Sequence, residues 1–161
     1  MKIFSCLFEC KTNSHTEEVY VLFKEYDVHV EKKTYAEAVE VCKGLGLQLF
    51  EPKDSIQNSE VTALAKTKGV NQFWIGIHDK NSEGEFTYES NCQIISYENW
   101  ADGGPNNNHW GGEDCVVIMY DGSEKWNDLN CDSKQNSFVC ENKPSGNWIG
   151  DKRYEVAKSL W

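Results

Sequence analysis

A single mixed α+β domain is what this sequence predicts. Two stretches carry helical spacing in the first half, several short apolar runs read as strands, and seven cysteines are spread over 161 residues. That length is one domain of ordinary size, able to bury a real core. An apolar fraction of 39% with 12% aromatic residues marks a globular chain rather than a disordered one.

The elements follow in order. Residues 11–18 are polar and read as an arm; Val19 to Phe23 reads as a strand. Thr34 and Glu37 form a capping box, Thr as N-cap and Glu three residues on. Tyr35, Ala38, Val39 and Cys42 then share one helical face, and Gly44 or Gly46 ends the helix. After Pro52, Asp54 or Ser55 caps a second helix. Its inward residues are read as Ile56, Val61, Leu64 and Ala65, and Gly69 stops it. Phe73 to Ile77 is a buried strand, as are Cys115 to Tyr120 and Ser137 to Cys140. Between them, Asp79 to Pro105 is a long Asn-, Ser-, Gly- and Glu-rich loop, the kind of segment that carries function. Lys143 to Gly146 marks a boundary, giving an arm at 1–17, a domain at 18–143 and a tail at 144–161. Aromatic and aliphatic residues in that tail call for a partner surface. Trp74, Trp100 and Trp126 are expected in the core.

Charge and cysteine usage bound the function. A net charge of −10 argues against nucleic acid, whose phosphates require a basic face, and suits cations or simple solubility. Seven cysteines point to an oxidising, extracellular setting, and the odd count leaves one thiol free or bridging chains. No Cys-x-x-Cys occurs, so zinc-ribbon and thioredoxin-type sites are not expected. Met1 to Phe8 is followed by Glu9, Cys10 and Lys11 and falls short of the ~7–15 apolar residues of a secretion signal. No run reaches the ~18 apolar residues of a membrane span.

Enzyme motifs are missing from the sequence: no Gly-x-Ser-x-Gly elbow, phosphate-cradling glycine loop or His-Glu-x-x-His helix occurs. His78 beside Asp79 is read as packing at a strand end, and no enzymatic activity is expected. Oxygen donors, by contrast, cluster beside cysteines. Asp79, Glu83, Asn106, Asn107, Glu113, Asp114, Asn127 and Asp128 come from separate loops next to Cys115 and Cys131. Calcium takes roughly 6–8 such oxygens in irregular geometry. Neighbouring carboxylates repel when ionised, so a cation between them is simpler than an acid–base pair.

These residues together resemble a C-type lectin carbohydrate-recognition domain over about residues 18–142. The points of resemblance are Cys42, Trp74-Ile75-Gly76-Ile77, Glu83-Gly84, Trp100 and Pro105-Asn106. Gly112-Glu113-Asp114-Cys115, Trp126-Asn127-Asp128, Cys131 and Phe138-Val139-Cys140 complete them. The resemblance implies two helices flanking small antiparallel sheets, disulfides Cys42–Cys140 and Cys115–Cys131, and a cis Gly104–Pro105 bond. It implies a sugar-binding calcium on Asn106, Glu113, Asn127 and Asp128, and a second calcium at Asp79, Glu83, Asn107, Glu113 and Asp114. The implied partner is carbohydrate, in a secreted protein that does not insert in membranes. Gly104 departs from the family, which carries Glu or Gln there, and so removes one oxygen donor. Asn106 favours mannose or fucose, whereas Trp110 either stacks on a galactose ring, which favours galactose, or plugs the loop core; the lean is to mannose or fucose. Gly104 keeps open a related domain that binds protein or ice instead of sugar. Cys6, Cys10 and Cys92 fall outside the pattern and, with the tail, are candidate means of homo-oligomerisation.

Overall fold

A computed structural model describes residues 4–8, 21–108, 111–119 and 123–143. Most of the expected arm, the tail at 144–161, Val19, Cys10, Trp110 and Tyr120 lie outside these residues.

The first helix, α1 (Tyr35–Gly44), starts at the anticipated cap. The Glu37 amide donates to Thr34 Oγ1 (3.2 Å), and the Thr34 amide donates to Glu37 Oε2 (2.9 Å). The second, α2 (Ser55–Thr67), is capped by Asp54, whose Oδ1 accepts the Gln57 amide at 2.8 Å. Among its anticipated inward residues Val61 and Ala65 are buried and Leu64 packs partly buried against the core, but Ile56 is 63% exposed. Asn58, a polar residue, is buried in that helix instead.

Eight strands form one sheet: β1 (Phe4–Phe8), β2 (Val21–Lys33), β3 (Gln48–Leu49), β4 (Gln72–His78), β5 (Thr87–Tyr88), β6 (Cys115–Met119), β7 (Trp126–Leu129) and β8 (Asn136–Glu141). The path runs β1-β2-β8-β4-β6-β7, with β3 on β8 and β5 on β4. All pairings are antiparallel except β4 with β8. The anticipated first strand therefore runs much further than Phe23, and the Phe4–Phe8 segment, read as arm, pairs with it. Gly76 in β4 is required by close approach: a Cβ there would lie 2.8 Å from Glu51 Cγ and 3.0 Å from the Leu49 carbonyl.

Two buried clusters build the core. One gathers Phe50, Val61, Phe73, Ile75, Val116, Ile118 and Trp126; the other gathers Tyr35, Ala38, Cys42, Trp74, Val117 and Phe138. Trp74 and Trp126 are fully buried, and Trp100 packs partly buried against the first cluster. Both implied disulfides are present. Cys42–Cys140 ties α1 to β8, and Cys115–Cys131 ties the start of β6 to the turn after β7. In the chain-entropy model the 98- and 16-residue separations correspond to about 3–5 kcal/mol each.

One buried amide aligns β7. Asn58 Oδ1 accepts the Trp126 indole N–H at 2.7 Å, and Asn58 Nδ2 donates to the Glu124 carbonyl at 3.0 Å. The Trp126 amide also donates to Asn99 O, and its carbonyl accepts from Ala101, so the long loop and β7 are laced together. A second polar group closes the end of β4. His78 Nε2 lies 3.2 Å and Lys80 Nζ 3.3 Å from Glu89 Oε2. Burial alone would raise the Glu89 carboxyl; the His78 hydrogen bond and the Lys80 charge overcome it and bring it down to about 2.

Asn58→Leu should lower unfolding free energy by about 1–3 kcal/mol, because the buried indole N–H loses its acceptor; urea denaturation at neutral pH measures it. For Glu89, the folded carboxyl sits below its ordinary value of 4.5. Its ionised form therefore stabilises the fold above that value, and the contribution is lost as pH falls towards 2. The wild-type advantage over Glu89→Gln is expected to be about 2–3 kcal/mol at pH 7 and to vanish near pH 2.

Candidate functional site

The sequence places Asn127 and Asp128 in β7 directly after the anchored Trp126. Alternation along that strand buries Trp126 and Asp128 and leaves Asn127 half-buried between them. Asp128 is 0% exposed, an expensive place for a carboxylate unless it is compensated. Its Oδ2 accepts the amides of Asn106 (2.9 Å) and Asn107 (2.7 Å), which fastens the long loop onto the strand. Its Oδ1 is buried and has no hydrogen-bond partner.

From there hydrogen bonds reach most of the residues anticipated from the sequence. Asn107 adopts a left-handed backbone (φ 45°), which Asn tolerates better than most residues. Its Nδ2 donates to Glu83 Oε2 and its Oδ1 accepts the Glu113 amide, both at 2.7 Å. Glu113 Oε2 in turn accepts the Asn108 amide at 2.9 Å. Gly112, at φ 86°, makes room for this turn: a Cβ there would lie 2.9 Å from Asp114 Oδ1. The Gly104–Pro105 peptide is cis. The Asn127 amide turns to the Asp128 carbonyl (2.9 Å) rather than to the loop.

Asp79 enters from the other side, at the end of β4. Its amide donates to the Asp114 carbonyl (3.0 Å), its Oδ2 accepts the Gly84 amide (2.8 Å), and its Oδ1 is a second buried carboxylate oxygen without a partner. Burial pushes its carboxyl above the usual range; the charges of Asp114 and Asp128 add to that, and the Gly84 hydrogen bond opposes it. Glu83 is pushed up as well, by loss of solvent and then by Asp79, Asp114 and Asp128. Four carboxylates thus share one field with no cationic side chain among these causes.

Among the described residues no three Asp, Glu, His or Cys side chains form a group that could hold a metal by themselves. The donor set is instead carboxylates interleaved with Asn amides. Two buried, unpartnered carboxylate oxygens and the mutual repulsion of four acids fit a hard divalent cation, which all-oxygen donors favour. Trp110, anticipated as a stacking platform or a plug of the loop core, lies outside the described residues. One contributor was not singled out from the sequence. Glu89 stands ten residues after Asp79 in a loop, and only the fold brings it to His78 and Lys80 on either side of Asp79. No spacing in the sequence signals that pairing.

Comparison with known proteins shows the family. The Lectin C-type domain model matches residues 31–142. Salivary C-type lectin 2 of Aedes albopictus is 37% identical over 122 residues, covering 70% of this chain and 80% of its own length. Collectin-10 of Gallus gallus is 35% identical over 118 residues, covering 73% of this chain but only 41% of the relative, so the chain spans about two fifths of that collectin. The carbohydrate-recognition domain of cow CD23, crystallised in the presence of a GlcNAc2Man3 oligosaccharide, superposes with a TM-score of 0.65 at 31% identity, over 74% of this chain and 90% of that one. With the same fold, both disulfides and a family match across the loop and its flanking strands, the chain belongs to the C-type lectin domain family.

Proposed function

We propose that this domain is a secreted, calcium-dependent lectin for terminal monosaccharides of glycans. The observation that carries the reading is Asp128: fully buried, bound to two loop amides through one oxygen, and unpartnered at the other. Asn106, Glu113, Asn127 and Asp128 are the proposed ligands of the sugar-binding ion. Asp79, Glu83, Asn107, Glu113 and Asp114 are the proposed ligands of a second. When bound, calcium supplies direct coordination for two neighbouring sugar hydroxyls.

The chain's own groups do the rest. The Glu113 carboxylate accepts a hydrogen bond from those hydroxyls and the Asn106 and Asn127 amides donate to them, while the buried Asp128 acts through the ion and the loop. Asp128 holds the loop backbone at Asn106 and Asn107, so the donors on β7 and on the loop keep a fixed relation. By residue type Trp110 would favour galactose if it stacks on a sugar ring, whereas Asn106 favours mannose or fucose; the lean stays with the latter. Secretion follows the two disulfides and the salivary relative's name. Among the described residues no helix is long and apolar enough to cross a membrane.

A second reading has one observation behind it. Gly104 offers no side-chain oxygen, and a Cβ there would sit 3.3 Å from the Ala101 carbonyl, tight enough to require a shift. A domain that binds protein or ice without sugar fits that loss.

Glycan-array binding with and without chelator tests the first reading. Binding is expected in calcium and absent in EDTA; binding indifferent to chelator would reject it. Asp128→Asn keeps an acceptor for the two loop amides while removing the charge. It should weaken calcium binding at least about 100-fold with the fold retained by circular dichroism, and unchanged affinity contradicts the assignment. Calorimetry with calcium, then mannose, fucose and galactose, separates the two readings: calcium uptake without sugar uptake favours the second.

A further inference from the structure

Asp79 is held at every polar group but one. Its amide goes to Asp114 O (3.0 Å), its carbonyl accepts the Ser82 amide (3.0 Å), and its Oδ2 accepts the Gly84 amide (2.8 Å). Only Oδ1 is left over, buried and without a partner. The direction of that oxygen depends on the peptide units before and after Asp79. Both of those neighbours are pinned, and to the same atom.

We propose that Glu89 is the positioning residue of the cation site: its Oε2, shared by His78 Nε2 at 3.2 Å and Lys80 Nζ at 3.3 Å, clamps the residues on either side of Asp79 and so fixes Asp79 Oδ1 for the ion. Glu89 is itself anchored. Its amide donates to the Gly76 carbonyl at 2.9 Å, and it follows β5, which is paired to the end of β4. Thr87 Oγ1 adds a bond to the His78 carbonyl at 3.3 Å. Lys80 Nζ is further confined 4.8 Å above the Tyr35 ring. His78 is 4% exposed, so its contact with Glu89 is shielded from competing water. With His78 and Lys80 gathered at one carboxylate oxygen, the backbone at Asp79 is tethered before and after, and the turn closed by the Ser82 amide on the Asp79 carbonyl holds it further. Held at about 2, the Glu89 carboxyl is ionised at neutral pH and so attracts both His78 and Lys80. Outer-shell partners of this sort typically carry 10–100-fold in metal affinity, about the same as losing a weak ligand.

The calcium part of this proposal rests on the reading that Asp79 ligates a divalent ion; the metal-free part does not. The Gly84 amide reports the Asp79 carboxylate directly, because it donates to Oδ2. In chelator, hydrogen exchange at Gly84 and Ser82 should quicken in Glu89→Ala. Exchange of the Ala38 amide, in α1, should not change. In calcium titrations of the full chain, Glu89→Ala should weaken binding about 10–100-fold. Lys80→Ala, at an exposed residue outside the core, should do so less but with the same sign, and Lys134→Ala should do nothing. Sugar affinity at saturating calcium should be unchanged in all three. If calcium affinity and Gly84 exchange are the same as wild type in both Glu89→Ala and Lys80→Ala, the clamp is refuted. Faster exchange spread evenly through α1 and β6 would also refute it, since that is a general loss of stability. A wild-type chain that takes up no calcium overturns the reading of the site itself, which is a result distinct from calcium binding indifferent to position 89.

Discussion

The two hydrogen bonds from the Asn106 and Asn107 amides to Asp128 Oδ2 are where the fold and the site become one structure. Asp128 belongs to β7 and is placed by the regular alternation of that strand. The loop has little regular structure and takes its position from what it touches. A buried carboxylate that accepts two backbone amides satisfies two donors that would otherwise be orphaned, and those donors offset part of its own desolvation. Everything upstream serves to hold β7 still. Trp126 fills the core, Asn58 holds its indole, and Cys115–Cys131 closes the segment from the far side.

The acids of the site work against that order. Burial and the charges of Asp114 and Asp128 raise the affinity of Asp79 and Glu83 for protons, which is a cost to the metal-free fold. Asn107 relieves some of it by donating to Glu83 and accepting from Glu113. The loop therefore has internal hydrogen bonds that give it a shape before any cation arrives, together with uncompensated charge that favours a cation. Local electrostatic strain of this kind is common where a protein retains function at the expense of stability.

Much of this was legible in the sequence because the signals were local. Thr34 with Glu37, and Asp54 before Ser55, are caps whose geometry spans three residues, and both are present. The Trp74 strand is where its apolar run predicts, and the two disulfides are those that the family resemblance implies. What was not legible depended on contacts across the chain. Ile56 has the spacing of a core residue yet sits in the first turn of α2, where the helix face turns to solvent. Asn58 looks like a surface amide, and only its partner 68 residues away makes it a core residue. β7 carries Asn and Asp, residues depleted in strands, and forms because Trp126 is buried and its neighbours pair with β6. For the site, the donor list could be written from residue types, but the roles of Asp128 Oδ2 and Glu89 could not, since both arise from register and packing.

Gly104 sets the terms on which such a site would discriminate among sugars. Selectivity for one ring hydroxyl over another comes from fixed donors and acceptors, and an unmatched buried polar group is what rejects the wrong sugar. On the β7 side Asn127 and Asp128 supply an amide and an acid in order. On the loop side Asn106 supplies an amide, but position 104 supplies only backbone. On the proposed reading, one hydroxyl would meet a full set of partners and its neighbour an incomplete one. A single site of this kind would bind weakly and tolerate several sugars. Selectivity then depends on how many sites engage a glycan surface together, because linked weak sites gain by effective concentration without any new contact. Spare cysteines matter in that light. The exposed, unpaired Cys92 lies outside both disulfides, in the loop that carries the site, and a covalent link there would join two loops rather than two cores.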